Sequence, residues 1–152
     1  AYAIVSILER KIPLKKLIQT SFTLVIAVSF LIYLHNYYRH YPFEKASFWQ
    51  YGYGQAAIES EKIKNQFEKI HVDKTIEQAY VFWLFNTEYD PASYQQQGAR
   101  YHFDKYYFDS KAPSSKNELF ISDEGSFPGN FEIIKTIYYP DGTPAIKIGH
   151  PR

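Results

Sequence analysis

The side chains that carry most enzyme chemistry are sparse in this sequence. Cysteine is absent, so no thiolate nucleophile and no cysteine-ligated zinc is available. Five histidines occur, His35, His40, His71, His102 and His150, and none has the HExxH or related spacing that turns two imidazoles toward one metal. Gly52-Tyr53-Gly54 resembles half a phosphate loop but lacks the third glycine and a preceding strand. Glu124-Gly125-Ser126-Phe127-Pro128-Gly129 lacks the G-x-S-x-G spacing of a nucleophile elbow. Asp123-Glu124 and the Glu88/Asp90 pair are close acidic neighbours. Such pairs can hold a divalent cation or share acid–base work. Adjacent loop carboxylates more often point into solvent, and a capping role already suffices for Asp90. No catalytic residue, metal site or cofactor site is therefore expected in this stretch of chain.

The chemistry that remains is aromatic. Tyr37, Tyr38, Tyr41, Phe43, Phe48, Trp49, Tyr51 and Tyr53 fall within 17 residues. Aromatic rings can stack on the apolar face of a sugar; they also anchor helices at membrane–water interfaces and pack well beneath a small domain. Both readings stay open, with Tyr41, Trp49 and Tyr53 as the substrate-facing candidates. Tyr33, Tyr37 and Tyr38 are expected at a membrane interface.

That expectation rests on the element before them. Leu17–Tyr38 holds no charged residue over 22 positions and contains 11 Leu, Ile, Val or Phe. As a helix the run measures roughly 33 Å, against a hydrocarbon core of about 30 Å. Its large apolar residues supply roughly −3 to −7 kcal/mol toward insertion. Gln19, His35 and Asn36 lie near its ends, where polar groups cost least. The rival element is a buried core helix of a soluble protein; a secretory signal fits poorly, because the apolar run is too long and no small-residue cleavage site ends it.

The flanks suggest an orientation. Arg10, Lys11, Lys15 and Lys16 precede the run, whereas only Arg39 follows it directly. The basic side is expected in the cytoplasm, which places residues after about 39 on the extracytoplasmic side. Ala1–Leu8 is itself apolar, and the chain begins without methionine. Both suggest a piece cut from a larger membrane protein. Residues 1–16 then read as the end of a preceding membrane helix and a short basic cytoplasmic loop, 17–38 as a transmembrane helix, and 39–152 as an extracytoplasmic mixed α/β domain. Seventeen Lys and Arg against 16 Asp and Glu leave a net charge of +1, which excludes a general polyanion binder, so no nucleic-acid partner is expected.

In the outer segment the pattern predicts helices early and antiparallel strands late. Phe48–Lys69 reads as an amphipathic helix with Ala56, Ala57, Ile63 and Phe67 on one broad face. Lys69–Lys74 reads as a short strand. Thr75 and Gln78 have capping-box spacing for a helix over Ile76 to about Thr87. Asp90-Pro91 opens another helix, which Gly98 ends. Tyr101–Phe108 alternates as one strand, Leu119–Ser122 as another, and 123–130 as a loop. Phe131–Tyr139 and Pro144–Ile148 form a hairpin through Pro140-Asp141-Gly142-Thr143.

Taken together, LIYLHNYYRHYP, FWQYGYGQAA, EQAYVFWLFNTEYDPASYQ and YHFDKYYF resemble the C-terminal part of GT-C membrane glycosyltransferases of the dolichyl-phosphate-mannose protein mannosyltransferase and aminoarabinose transferase type. The resemblance covers roughly Leu17 to Lys147, and Tyr80–Gln95 is its most specific part. It implies a parent that moves a sugar from a polyprenyl-phosphate carrier to an acceptor on the outer face. It also implies that the catalytic acids lie in early loops outside this chain, so no catalytic role is carried to any residue here. The partners it implies are membrane lipid, the rest of the parent protein and a lipid-linked sugar. Arg39 and His40 would stand where a carrier phosphate could meet charge-assisted hydrogen bonds, or where Arg39 simply anchors the helix at the headgroups. The other class of function is a bitopic envelope protein whose outer domain binds a protein partner or a glycan.

Overall fold

The computed structural model describes residues 15–98 and 101–152. The apolar stub and most of the basic loop expected before Lys15 lie outside the described residues. The chain divides into two compact units, one ending at Glu44 and one spanning Lys45–Arg152.

The first unit is a continuous helical run of 30 residues, Lys15–Glu44, long and apolar enough to cross a membrane. It consists of α1 (Lys15–His35), a π-helical segment at Asn36–His40 and a short α2 (Tyr41–Glu44). No described residue of α1 is buried, so the core-helix alternative finds no support here. The run is roughly 45 Å long, enough for the hydrocarbon core plus both interfacial layers. It does not end at Tyr38: the π segment carries it onward, with the Tyr41 N–H donating to the Asn36 carbonyl.

The second unit is mixed α and β. Its helices are α3 (Tyr53–Ile63), continued by a 3-10 turn at Lys64–Gln66, then α4 (Ala79–Asn86) and α5 (Pro91–Gln97). Its strands are β1 (Lys69–Val72), β2 (His102–Phe103), β3 (Tyr106–Phe108), β4 (Glu118–Asp123), β5 (Phe131–Tyr138) and β6 (Pro144–Pro151), in the sheet order β2-β3-β1-β4-β6-β5. The pairs β2/β3, β4/β6 and β5/β6 are antiparallel, and β5/β6 is the hairpin that the sequence pattern predicts. The sheet as a whole is mixed, because β1 inserts between β3 and β4 and runs parallel to both.

Three expectations are corrected. The amphipathic helix starts at Tyr53, not Phe48, because Gln50 (φ 56°) and Gly52 (φ 93°) turn left-handed and break the helical path. The capping box at Thr75 does not form. Asp73 instead accepts the Thr75 N–H at 3.0 Å in an Asx turn, and Gln78 enters α4 at φ 54° without a side-chain cap. The strand expected over Tyr101–Phe108 is two strands that reverse at Asp104 (φ 49°), a residue whose short polar side chain tolerates that conformation. The expected α5 is as predicted: Asp90 caps the Ala92 and Ser93 N–H groups, Pro91 follows, and Gly98 closes at φ 62°.

The core lies between α3, α4 and one face of the sheet. Ala56 and Ala57 let α3 approach closely, and Trp83 of α4 packs with Ile70, Tyr106, Leu119 and Ile148 in one buried cluster. A polar network crosses it. The Trp83 indole donates to Ser60 Oγ at 3.0 Å, and Ser60 donates to the Ala57 carbonyl. The Tyr106 hydroxyl donates to Glu61 at 2.7 Å, and burial pushes its pKa far above the ordinary phenol value. Glu61 and Asp104 both accept from Lys64. Burial alone would depress the Lys64 pKa, but these two carboxylates outweigh it and hold the ammonium charged.

On the opposite sheet face Phe120, Phe127 and Phe131 make a second small cluster, with centroids 5.7–6.0 Å apart. Gly149 of β6 passes beneath it. A Cβ there would lie 2.1 Å from the Glu132 carbonyl oxygen and 3.0 Å from Phe127, and the backbone cannot yield cheaply. Gly149→Ala is expected to lower unfolding stability by about 1–3 kcal/mol. An unchanged denaturant midpoint would show that the β5–β6 pairing relaxes freely.

Candidate functional site

Three surfaces collect the side chains with chemical potential. The first lies on the helical unit. Phe30, Tyr33, Tyr37 and Tyr41 stack successively, with centroids 6.5, 6.0 and 5.8 Å apart. Their spacing of three, four and four residues keeps them on one side of the helix. The π segment, with its wider turn, brings His35 and His40 within 5.3 Å. His40 and Tyr41 line a shallow groove with Tyr33, Asn36, Tyr37 and Glu44. Tyr38 sets its ring edge-on to Tyr37 at 5.2 Å. Arg39 is exposed and makes no ion pair among the described residues. This unit therefore unites Tyr33, Tyr37, Tyr38, His40 and Tyr41, five of the eight residues singled out from the sequence, into one aromatic surface.

Trp49 and Tyr53 belong to the other unit. Trp49 is 63% exposed and meets Phe48 edge-on. Tyr53 is half-buried, edge-on to Phe82 at 5.2 Å. Burial and the nearby Tyr139 and Glu77 raise its pKa. Its contacts are those of a packing residue. Gly52 and Gly54 likewise serve packing: Gly52 supplies the left-handed turn before α3, and a Cβ on Gly54 would press on the Asn86 amide at 3.2 Å.

The second surface is a groove between α4 and α5, lined by Val81, Leu84, Phe85, Tyr89, Pro91 and Tyr94. Phe85 is 81% exposed. No spacing rule flagged this groove, since Val81-Phe82-Trp83-Leu84-Phe85 reads as a continuous apolar run whichever side is buried.

The third surface was not anticipated. β1 and β3 run parallel, and a crevice opens beyond their carboxyl ends, at Val72 and Phe108. Its volume is about 490 Å³. The apolar floor includes Val72, Ile76 and Phe108, and Tyr80 and Tyr101 stand at the walls. Asp73, Lys74, Gln78 and Asp109 supply the polar groups. Asp109 Oδ1 lies 3.1 Å from His71 Nδ1, and His71 stacks on Tyr107, which stacks in turn on His102. The signal available in sequence was the run Val72-Asp73-Lys74 at a strand end, meaningful only once a parallel neighbour is known.

The acidic pairs noted in the sequence have local roles. Asp123 accepts the Ser126 N–H at 2.8 Å, while Glu124 pairs with Lys147 at 2.8 Å. Among the described residues no group of three or more His, Asp or Glu is placed to hold a metal ion. No protein-family model, curated protein or solved structure matches the chain.

Proposed function

We propose that this chain is the membrane-anchored, non-catalytic C-terminal portion of a glycosyltransferase that moves a sugar from a polyprenyl-phosphate carrier to an acceptor on the outer face. The observation that carries the reading is the bilayer-length helix with no buried described residue. It runs without a break into a ladder of tyrosines suited to a membrane interface. The sequence resemblance supplies the reaction class. Lys15 and Lys16 mark the cytoplasmic end, and residues after about 39 stand on the extracytoplasmic side. There Arg39 and His40 are positioned on the helix to meet a carrier phosphate or the headgroups.

The cysteine-free sequence allows a background-free test of sidedness. Ser126→Cys is expected to react with a membrane-impermeant maleimide in intact cells, and Ile12→Cys, in the short basic loop, only after permeabilisation. The reverse pattern overturns the orientation. For the activity, membranes carrying the natural gene product are expected to transfer labelled sugar from a polyprenyl-phosphate donor. The segment from about Tyr41 onward, expressed alone, is expected to be soluble, folded and inert. Turnover by that segment, or a natural gene product with no further spans and no transfer, overturns the reading in favour of a bitopic envelope protein.

A further inference from the structure

We infer that the crevice at the carboxyl ends of β1 and β3 is a binding site for a neutral carbohydrate. The inference goes beyond the anchoring role proposed above and does not depend on it, since it follows from what lines the crevice.

Position comes first. The crevice opens beyond the carboxyl ends of the parallel strands β1 and β3, the end of a parallel pair at which ligands of α/β sheets settle. A space of about 490 Å³ falls within the range of small-ligand sites and accommodates one or two sugar rings.

The lining then selects the chemistry. Asp73 and Asp109 are acceptors when ionised, so the ligand must bring hydrogen-bond donors. The same two carboxylates repel anions. Lys74 lines the same crevice and offsets one of the two charges, and Asp109 Oδ1 is already engaged by His71 Nδ1, so the crevice offers a cationic ligand no strong field of its own. The floor of Val72, Ile76 and Phe108 and the rings of Tyr80 and Tyr101 ask for an apolar, rather flat surface. Gln78 both donates and accepts. A pyranose ring meets all of these demands together, with hydroxyl donors at its rim and C–H groups on its face.

Two residues separate binding from folding. Tyr101 is 70% exposed, so Tyr101→Ala removes a wall without opening the core. Asp109→Asn keeps the shape beside His71 and removes the charge. The full chain in lipid nanodiscs is examined by saturation-transfer NMR against maltotriose, mannotriose and N,N′,N″-triacetylchitotriose. Glucosamine and glucose 6-phosphate serve as cationic and anionic probes. At least one neutral trisaccharide is expected to bind with a Kd of about 1 mM. Each variant should weaken that binding tenfold or more while its amide spectrum stays dispersed like the parent's. No saturation transfer to any neutral sugar, equal binding by both variants, or tighter binding of either charged probe overturns the assignment. Failure of sugar transfer by the natural gene product would leave this binding result standing, and loss of binding would leave the anchoring role standing.

Discussion

Trp83→Ala is expected to lower the unfolding stability of the second unit by about 3–5 kcal/mol. Trp83 is fully buried, at 0% exposure. Its ring meets Tyr106 and Phe108 edge-on at 6.4 and 6.1 Å, so it joins α4 to the strand beside β1. Truncating a buried tryptophan costs about 3–5 kcal/mol, and a domain of this size holds about 5–15 kcal/mol in total. Trp83→Phe separates packing from polarity. It keeps an aromatic ring but removes the donor that Ser60 accepts at 3.0 Å. It leaves the buried hydroxyl with Tyr106, at 3.5 Å, and its own bond to Ala57, so the loss is that of one net hydrogen bond, about 0.5–1.5 kcal/mol. The chain reports on itself, because its two tryptophans sit in opposite surroundings, Trp83 buried and Trp49 63% exposed. Trp83→Phe should remove the blue component of the emission, whereas Trp49→Phe should remove the red one and shift stability by less than about 0.5 kcal/mol. A Trp83→Ala protein with the parent's denaturant midpoint would refute the packing described for α4.

What the sequence showed, and what it hid, follows one physical division. Features set by a few adjacent residues were legible. Asp90-Pro91 with Gly98 framed α5, and Pro140–Thr143 marked the β5–β6 turn, where the Thr143 N–H and hydroxyl both bond Asp141 at 2.9 and 2.7 Å. The apolar helix was legible because its length and missing charges need no partner to interpret. Features set by distant pairing were hidden. β1 alternates Ile70 and Val72 with His71 and Asp73, which suits a half-exposed edge, yet it lies inside the sheet. His71 is buried there because Asp109, Glu118 and Tyr107 from neighbouring strands close around it. The crevice was hidden for the same reason: Asp73 and Asp109 are 36 positions apart, and only the parallel pairing of β1 with β3 brings them to one end. The capping box failed because two local options competed, and Asp73, next to the strand, captured the Thr75 N–H first.

Val25→Arg combined with Val28→Arg is expected to abolish membrane integration of the chain. Both valines sit in the middle of the charge-free run, and both are well exposed along α1, at 62% and 46%. Each arginine at the centre of a span costs about 2.5–3.5 kcal/mol on the insertion scale, and each lost valine removes roughly another 0.3–0.6 kcal/mol. The pair therefore costs about 6–8 kcal/mol, as much as the entire apolar contribution of roughly −3 to −7 kcal/mol that the run supplies. Carbonate extraction should move the variant from the membrane pellet to the supernatant, while a control with Lys15→Arg stays in the pellet. The same substitutions separate a span from any soluble use of this helix. On the exposed surface of a soluble protein, two arginines would change stability by less than about 0.5 kcal/mol each and would raise solubility. A double variant retained in the pellet like its parent would mean that the helix does not meet hydrocarbon at these positions. The anchoring role, and with it the place of the tyrosine ladder at an interface, would then fall.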